Sequence, residues 1–218
     1  MSTGTGAVPA PRKRLSADER REVIELAARA VFAERGYHGA SMGEIARRSG
    51  VTPPVVYDHF SSKVALHRRL LERTRDELLE MWSESIDSAL PPDERVAAAL
   101  DAWARYVEAH PYAPRMFFVE TTGDPEIAAI HAEVRDQASS ALATAVARAS
   151  GVAGPPPGAD PLDLQMATEI IRSGLTGLAV WWSDHPEVPR EQIVAAAVNA
   201  IWIGLERVQR GDAWRPAV

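Results

Sequence analysis

Apolar side chains recur three or four positions apart along most of the chain. Helix-forming residues predominate, and the period-two alternation of half-buried strands is absent. Together with start and stop signals, this pattern predicts nine helices, over residues 17–35, 42–49, 53–59, 62–89, 93–109, 112–121, 125–149, 161–183 and 189–209. The sequence therefore predicts an all-α fold.

Several helix starts are marked by capping residues. Two segments, Ser16 to Glu19 and Ser41 to Glu44, match the capping box, in which a Ser and a Glu three positions later satisfy each other's backbone N–H groups. Three further starts place a capping residue before a proline: Thr52-Pro53, Asp124-Pro125 and Asp160-Pro161. Gly36 is expected to end the first helix, and Gly50 to adopt a left-handed turn conformation.

These elements divide the chain into three parts. Residues 1–15 are rich in Gly, Ala, Thr and Pro and carry a basic run at 12–14, so we expect a flexible basic arm. Residues 16–66 form a three-helix unit, and residues 67–218 a six-helix unit. The Gly- and Pro-rich segment 151–161 predicts an exposed loop within the second unit.

Composition narrows the class of protein. With 46% hydrophobic residues the chain can form a real core, and no apolar run reaches the roughly 18 residues that a membrane span needs. Without an apolar segment after the basic run we expect no signal peptide. The sequence has no cysteine, which excludes disulfides and thiol chemistry and favours a cytoplasmic protein.

Charge is distributed unevenly. Residues 1–66 carry ten basic and seven acidic side chains, a net charge of +3, whereas the whole chain has a net charge of −6. A basic unit on an acidic body suggests that only the first unit meets a polyanion, although two ordinary solvated surfaces can also differ this much.

The second and third helices have the form of a helix-turn-helix. A two-turn helix that buries Met42, Ile45 and Ala46 is followed by a turn at Gly50 and by a short helix with Val56 and Phe60 facing inward. The second helix of such a motif can enter the major groove of DNA. An ordinary corner between two helices is the alternative. The donors Tyr57, His59 and Lys63 favour DNA, because they lie where a helix crossing the groove meets phosphates.

The spaced residues of this region resemble a known family. The run Ile24, Ala27, Ala28, Val31, Phe32, Gly36 and Tyr37, followed by Ser41, Met42, Ile45, Ala46, Gly50, Val51, Thr52, Tyr57, His59, Phe60 and Lys63, closely resembles the N-terminal domain of TetR/AcrR-family transcriptional regulators. The resemblance implies a homodimeric repressor that binds a palindromic operator. It also implies a C-terminal domain that dimerises and binds a small effector.

The resemblance assigns roles to individual positions. Tyr57, His59, Lys63 and Ser41 match phosphate-contacting sites, while the base-reading positions are occupied here by Met42, Gly43, Thr52, Pro53, Pro54 and Val55. Of the latter, Thr52 can hydrogen-bond a base edge, and the prolines and Val55 offer only apolar contact, for instance to thymine methyl groups. Arg47 and Arg48, with the basic arm, are expected to add affinity, and a solvated tail without DNA contact is the alternative for the arm.

The last two predicted helices are apolar over more than one face. A helix of a small domain needs only one buried face, so the second face predicts a partner, and small residues such as Gly174, Gly177, Ala200 and Gly204 allow close approach. Two such helices from each chain would form a four-helix dimer interface. A central place within one larger bundle is the alternative.

The effector site is the hardest part to infer from sequence. Large or polar side chains that could surround a cavity are Trp82, Trp103, Tyr106, Met116, Phe117, Phe118, His131, Glu169 and Arg172. Ordinary core packing is the alternative for each aromatic, and Glu169 and Arg172 can simply pair with each other at their i, i+3 spacing.

Other functions are weakly supported. The chain has no HExxH, P-loop or dinucleotide-binding motif, and its six His residues lack ligand spacing, so we expect neither an enzyme nor a metal or cofactor site. An all-helical enzyme or small-molecule carrier without DNA binding is the alternative. A DNA-binding protein without an effector is a third.

Overall fold

The structure, a computed structural model, describes residues 15–86, 89–114, 123–149 and 161–209. Within these ranges the long elements are all helices, which confirms the all-α prediction. In chain order they are α1 (Ala17–Gly39), α2 (Met42–Ser49), α3 (Pro53–His59), α4 (Lys63–Ile86), α5 (Pro92–Ala109), α6 (Pro125–Ala149), α7 (Pro161–Ser183) and α8 (Arg190–Gln209). No helix within the described ranges is long and apolar enough to cross a membrane.

Some expectations concern residues outside these ranges. Most of the predicted helix 112–121, the basic arm up to residue 14 and the loop 151–160 are not described. The described boundaries lie within a few residues of the predicted ones, and the largest difference is at the end of α1. Gly36 does leave helical geometry, with φ 66° and ψ 176°, but a further turn carries α1 to Gly39. The predicted stop is therefore a kink within the element.

The helix caps follow the sequence only in part. Ser16 and Glu19 form the full capping box, and Asp124 Oδ1 accepts a hydrogen bond from the backbone N–H of Glu126 at 3.0 Å. Ser41 accepts from the N–H of Glu44, but the Glu44 carboxylate turns to arginines instead of completing the second box. Charged partners within reach have outcompeted the backbone donor.

The helix-turn-helix packs on α1. Gly50 caps α2 in the left-handed conformation, φ 69° and ψ 24°, as predicted. The core beneath it includes Ile24, Val31, Ile45 and Val56, with Val51 packed against its edge. The same cluster continues through Leu66 and Leu70 of α4 into Ile127 and Ile130 of α6. The first unit therefore shares its core with the second.

A second core lies further along α4. It joins the C-terminal half of α4 to α5, α7 and α8 around the buried ring of Trp103, with Leu100, Ala179, Trp182 and Ile193 among its members. Because α4 contributes to both cores, it connects the helix-turn-helix with the rest of the molecule.

A buried charge network also crosses from α1 to α4. Glu25 of α1 is only 2% exposed, and its carboxylate accepts from Arg73 Nη1 of α4 at 2.6 Å. Arg73 Nε donates to Glu77 at 2.7 Å, and Arg29 of α1 donates to Glu77 at 3.2 Å. Tyr106 of α5 donates its hydroxyl to the same carboxylate at 2.8 Å. Two carboxylates and two arginines therefore fix α1 on α4.

We predict that Glu25→Gln lowers the free energy of unfolding by about 1–3 kcal/mol, because the partly buried Arg73 then loses one of its two carboxylate partners. Urea unfolding followed by circular dichroism measures the change. Glu133→Gln is the matched control, since Glu133 pairs with Arg68 between α6 and α4 but is half-exposed, and exposed ion pairs contribute little. An equal loss in both variants would contradict the assigned importance of the buried network.

Candidate nucleic-acid interface and effector cavity

Helix α3 presents a mostly apolar face to solvent. Among its residues only Val56 is buried, while Thr52, Pro53 and Pro54 at its start are exposed and Val55 is half-exposed. The predicted base-reading positions of this helix are thus accessible. Because both prolines lack an N–H group, the helix start offers fewer backbone donors than usual.

Thr52 occupies the N-cap position without acting as a side-chain cap. Its backbone carbonyl accepts from the N–H groups of Val55 and Val56 at 3.0 and 3.3 Å, but its hydroxyl makes no capping hydrogen bond. The expected capping role is therefore not seen. The hydroxyl is left available to an outside partner, such as a base edge.

The end of α3 carries the expected phosphate-contacting groups. The Tyr57 side chain is 53% exposed, and His59 is half-exposed. Asp58 between them is also exposed, so a carboxylate lies close to both donors. A duplex docked on this face must therefore approach Tyr57 and His59 without placing a phosphate against Asp58.

Helix α2 contributes a cluster of paired charges. The Arg47 side chain is 70% exposed but binds Glu44 through Nε and Nη2 at 3.0 and 2.8 Å. Arg48 binds Glu44 and also Glu34 of α1, at 2.5–2.7 Å for the latter. Hydrogen bonds from Arg47 and Arg48 lower the pKa of Glu44 to about 2. Arg47 can therefore reach phosphate only by sharing or leaving Glu44.

Lys63, the first residue of α4, turns toward α1. Its Nζ donates to the backbone carbonyls of Tyr37 and Ala40 at 2.9 and 3.1 Å and lies 4.3 Å from the centre of the Tyr37 ring. These carbonyls belong to the end of α1, where helix acceptors lack intrahelical partners. Two of its three N–H groups are used in this way, which leaves one for phosphate.

One predicted base-reading residue is corrected by the structure. Met42 is 6% exposed and belongs to the core beneath the helix-turn-helix. Its position at the start of α2 matches the family pattern, but the apolar side chain gains more from burial than from water. Met42 therefore supports the interface from below, and Ser41 beside it remains exposed.

A cavity of about 80 Å³ lies between α4, α5, α6 and α7. Most of its wall is apolar, from Leu71, Leu78, Leu79, Trp82, Trp103, Val134, Ala138, Leu142 and Leu175. Drug-sized ligands occupy roughly 300–1,000 Å³. A ligand of that size must therefore push these helices apart.

The polar part of the wall is cationic. Arg75 of α4, Arg135 of α6 and Arg172 of α7 line the cavity together with His131 and Thr176, and the lining residues include no carboxylate. Arg75 is held by Gln137 and Asp76, and Arg172 by Glu169. The buried hydroxyl oxygen of Thr176 has no hydrogen-bond partner among the described residues. Such a wall suits an apolar molecule with an anionic end.

The predicted effector residues divide into three groups. Trp82, Trp103, His131 and Arg172 lie on the cavity wall. Tyr106 and Glu169 do not, which corrects their assignment: Tyr106 is used by Glu77, and Glu169 is a half-exposed partner of Arg172. Phe117, with Met116 and Phe118, lies outside the described residues.

Sequence reasoning missed Arg75, Arg135 and Thr176. A signal was present, because Arg75 falls at helical spacing among Leu71, Leu78 and Trp82 on the apolar face of α4. Arg135 falls in the same way among His131, Ala138 and Leu142 of α6. An arginine within an apolar stripe of each helix is the pattern that marks this cavity.

Helices α7 and α8 leave an apolar face open to solvent. On α7 the exposed positions Leu162, Met166, Ile170 and Trp181 fall on one side, together with Gly174 and Gly177. Ile170 is 73% exposed, and a Cβ built on either glycine would meet no atom within 4 Å. Ala196, Ala200 and Ile203 are exposed on α8. The opposite sides of both helices carry the second core.

The sequence matches known regulators. Residues 24–70 match the family of bacterial regulatory proteins known as the tetR family. Over 201 residues the chain is 31% identical to the HTH-type transcriptional activator FasR of Mycolicibacterium smegmatis, covering 89% of this chain and 87% of FasR. Over 91 residues it is 35% identical to the transcriptional repressor KstR2 of Mycobacterium tuberculosis, covering 42% and 45% of the two chains.

Solved structures share the fold. The regulator FadR from Bacillus subtilis, solved in complex with stearoyl-CoA, superposes with a TM-score of 0.67 at 19% identity, over 86% of this chain and 96% of FadR. A TetR-like transcriptional regulator from Rhodococcus superposes with a TM-score of 0.72 at 20% identity, over 88% and 99%. With FasR similar over nearly its whole length and the helix-turn-helix in place, this chain belongs to the TetR family of transcriptional regulators.

Proposed function

We propose that this regulator binds a palindromic operator as a homodimer and is released from it by a small anionic, acyl-type effector. The observation that carries the proposal is the course of α4. This helix begins at Lys63, directly after the DNA-facing segment, and its residues Leu71 to Trp82 form one wall of the cavity. A ligand that widens the cavity therefore displaces the helix on which the helix-turn-helix is mounted.

The accessible side chains support two kinds of contact with DNA, to phosphates and to bases. Tyr57, His59, Ser41, Arg47 and the remaining N–H of Lys63 would contact phosphates, which position the protein without reading sequence. Thr52, Pro53, Pro54 and Val55 would meet base edges, mainly through apolar contact.

The open face of α7 and α8 supports the dimer. Five of the ten large apolar side chains exposed among the described residues lie on these two helices: Leu162, Met166, Ile170, Trp181 and Ile203. An obligate dimer commonly buries about 2,000 Å² or more. Two helices from each chain packed through this face would form a four-helix interface.

The cavity supports the class of effector. The apolar wall suits the chemistry of an acyl chain, and an anionic end would meet Arg75, Arg135, Arg172 and the hydroxyl of Thr176, which has no partner among the described residues. FadR, which shares the fold, was solved with stearoyl-CoA, a ligand of this chemistry.

We propose a repressor, in which release from an operator overlapping a promoter raises transcription. Activation is the alternative, because FasR is named an activator whereas KstR2 is named a repressor. In an activator, the same release from DNA would lower transcription from the promoter that the bound dimer assists. A promoter–reporter fusion with the regulator gene deleted decides between them: expression rises for a repressor and falls for an activator.

Two substitutions separate base reading from positioning. Thr52→Val keeps the shape of a residue whose hydroxyl makes no capping bond, so folding is spared, and operator affinity should fall by about 1–3 kcal/mol with little effect on scrambled DNA. Tyr57→Phe should instead weaken both duplexes about equally and lower the salt slope. The measurement is fluorescence anisotropy at several salt concentrations. Equal losses of specific and scrambled binding for Thr52→Val would refute its base contact.

Charging the open face should break the dimer. We expect Ile170→Glu and Ala200→Glu to sediment as monomers at micromolar concentration and to lose operator binding, because a carboxylate cannot be buried there without a partner. Leu26→Glu, at an exposed apolar position of α1, is the control and should remain dimeric. A wild-type monomer would contradict the proposal.

The effector class can be tested with stearoyl-CoA as the probe. We expect it to weaken operator binding about 5–150-fold, the usual range of allosteric coupling. Arg172→Gln should weaken the binding of stearoyl-CoA about tenfold or more, whereas Arg105→Gln, in an exposed pair with Asp101, should not. Equal binding of stearyl alcohol to the wild type would show that no anionic group is recognised.

A further inference from the structure

A buried pair of histidines bridges the helix-turn-helix unit and the cavity. His67 of α4 and His131 of α6 are both buried, and their Nε2 atoms lie 3.0 Å apart. His131 lines the cavity, whereas His67 is not part of its wall. The two rings therefore connect the cavity wall with the residues that pack on the other side of His67.

On that far side His67 packs against the end of α1. Its ring centre lies 4.8 Å from that of Phe32 and 5.2 Å from that of Tyr37. The Lys63 ammonium in turn lies over the Tyr37 ring and donates a hydrogen bond to the Tyr37 backbone carbonyl. The chain of contacts from His131 through His67 thus ends where α1, α3 and α4 meet.

The pair can hold only one proton between its two facing nitrogens. One ring donates an N–H and the other accepts it at an unprotonated nitrogen, so the accepting ring must be neutral. Burial, with the neighbouring charges of His131 and Lys63, lowers the pKa of His67 to about 3. The Nδ1 atom of His67 is buried without a partner among the described residues, so this hydrogen bond is the one that fixes the orientation of its ring.

We propose that the His67–His131 hydrogen bond is the positioning contact that transmits occupancy of the cavity to the helix-turn-helix. This inference rests on the proposed function, in that the cavity binds an effector. A ligand that displaces the His131 ring breaks the bond. His67 then loses its fixed orientation, and Phe32 and Tyr37 lose the surface on which they pack.

The test compares operator affinity with and without stearoyl-CoA in the full-length dimer. His67→Phe keeps an aromatic ring against Phe32 and Tyr37 but removes the hydrogen bond. We expect the ratio of the two operator dissociation constants to fall at least fivefold, while stearoyl-CoA still binds within about threefold of wild type. The double variant with His131→Phe should show no further loss, because both changes remove the same bond. His110→Phe, at the residue that caps the end of α5 and lies outside the pair, is the control and should keep the wild-type ratio.

A purely structural role would lower stability without changing that ratio. An unchanged ratio in His67→Phe would therefore overturn the inference and leave the proposed function intact. His67→Gln, whose amide can donate at the same place, should retain part of the coupling, and a result equal to that of His67→Phe would also count against it.

A second measurement needs no ligand. If the wild type fails to respond to stearoyl-CoA, the proposed effector class is wrong, but the contact can still be tested by hydrogen exchange and mass spectrometry. His131→Phe should raise amide exchange in residues 31–40 about tenfold, although His131 itself lies on α6. Unchanged exchange in that segment would overturn the inference.

Discussion

A carboxylate buried inside a protein needs a cationic partner, and Glu25 meets this constraint through a residue of another helix. Its carboxylate pairs with Arg73 at 2.6 Å and lies 3.6 Å from Arg69, so two arginines of α4 hold α1 in place. Burial works to raise the pKa of Glu77, yet hydrogen bonds from Arg73, Tyr106 and Arg29 outweigh it and lower that pKa. Burial and the adjacent Glu77 raise the pKa of Tyr106 to about 12. Glu77 therefore stays ionised, and its donors Arg29, Arg73 and Tyr106 hold α1, α4 and α5 in one register.

Helix α4 contributes to two parts of the molecule. Near its start, Leu66 and Leu70 complete the core of the helix-turn-helix, and further on the helix forms a cavity wall. Under the proposed function, a change in the cavity would reach the DNA-facing segment through this helix. FasR and KstR2 act in opposite directions on transcription, which fits a mechanism that controls occupancy of DNA and leaves the outcome to the promoter.

Local signals predicted the first unit well. Ser41 and Gly50 fix the two ends of α2 through interactions within a few positions, and such interactions can be inferred from sequence. The roles of Met42, Lys63 and Tyr106 could not be inferred in this way, because each depends on a distant segment. Met42 packs in the core, Lys63 binds the end of α1, and Tyr106 binds Glu77. The same holds for the cavity, where helical spacing put Trp82 and His131 on inward faces but did not show that Glu169 turns outward.

The two prolines at the start of α3 have a thermodynamic consequence. They remove backbone donors from the end of a helix that usually holds ordered water and anions most firmly. The face formed by Pro53, Pro54 and Val55 is therefore largely apolar and has few donors that could order the water over it. If this face docks against base edges as proposed, that water is released, and burial of apolar surface is marked by a negative change in heat capacity. For this surface the affinity for DNA should consequently depend on temperature with pronounced curvature.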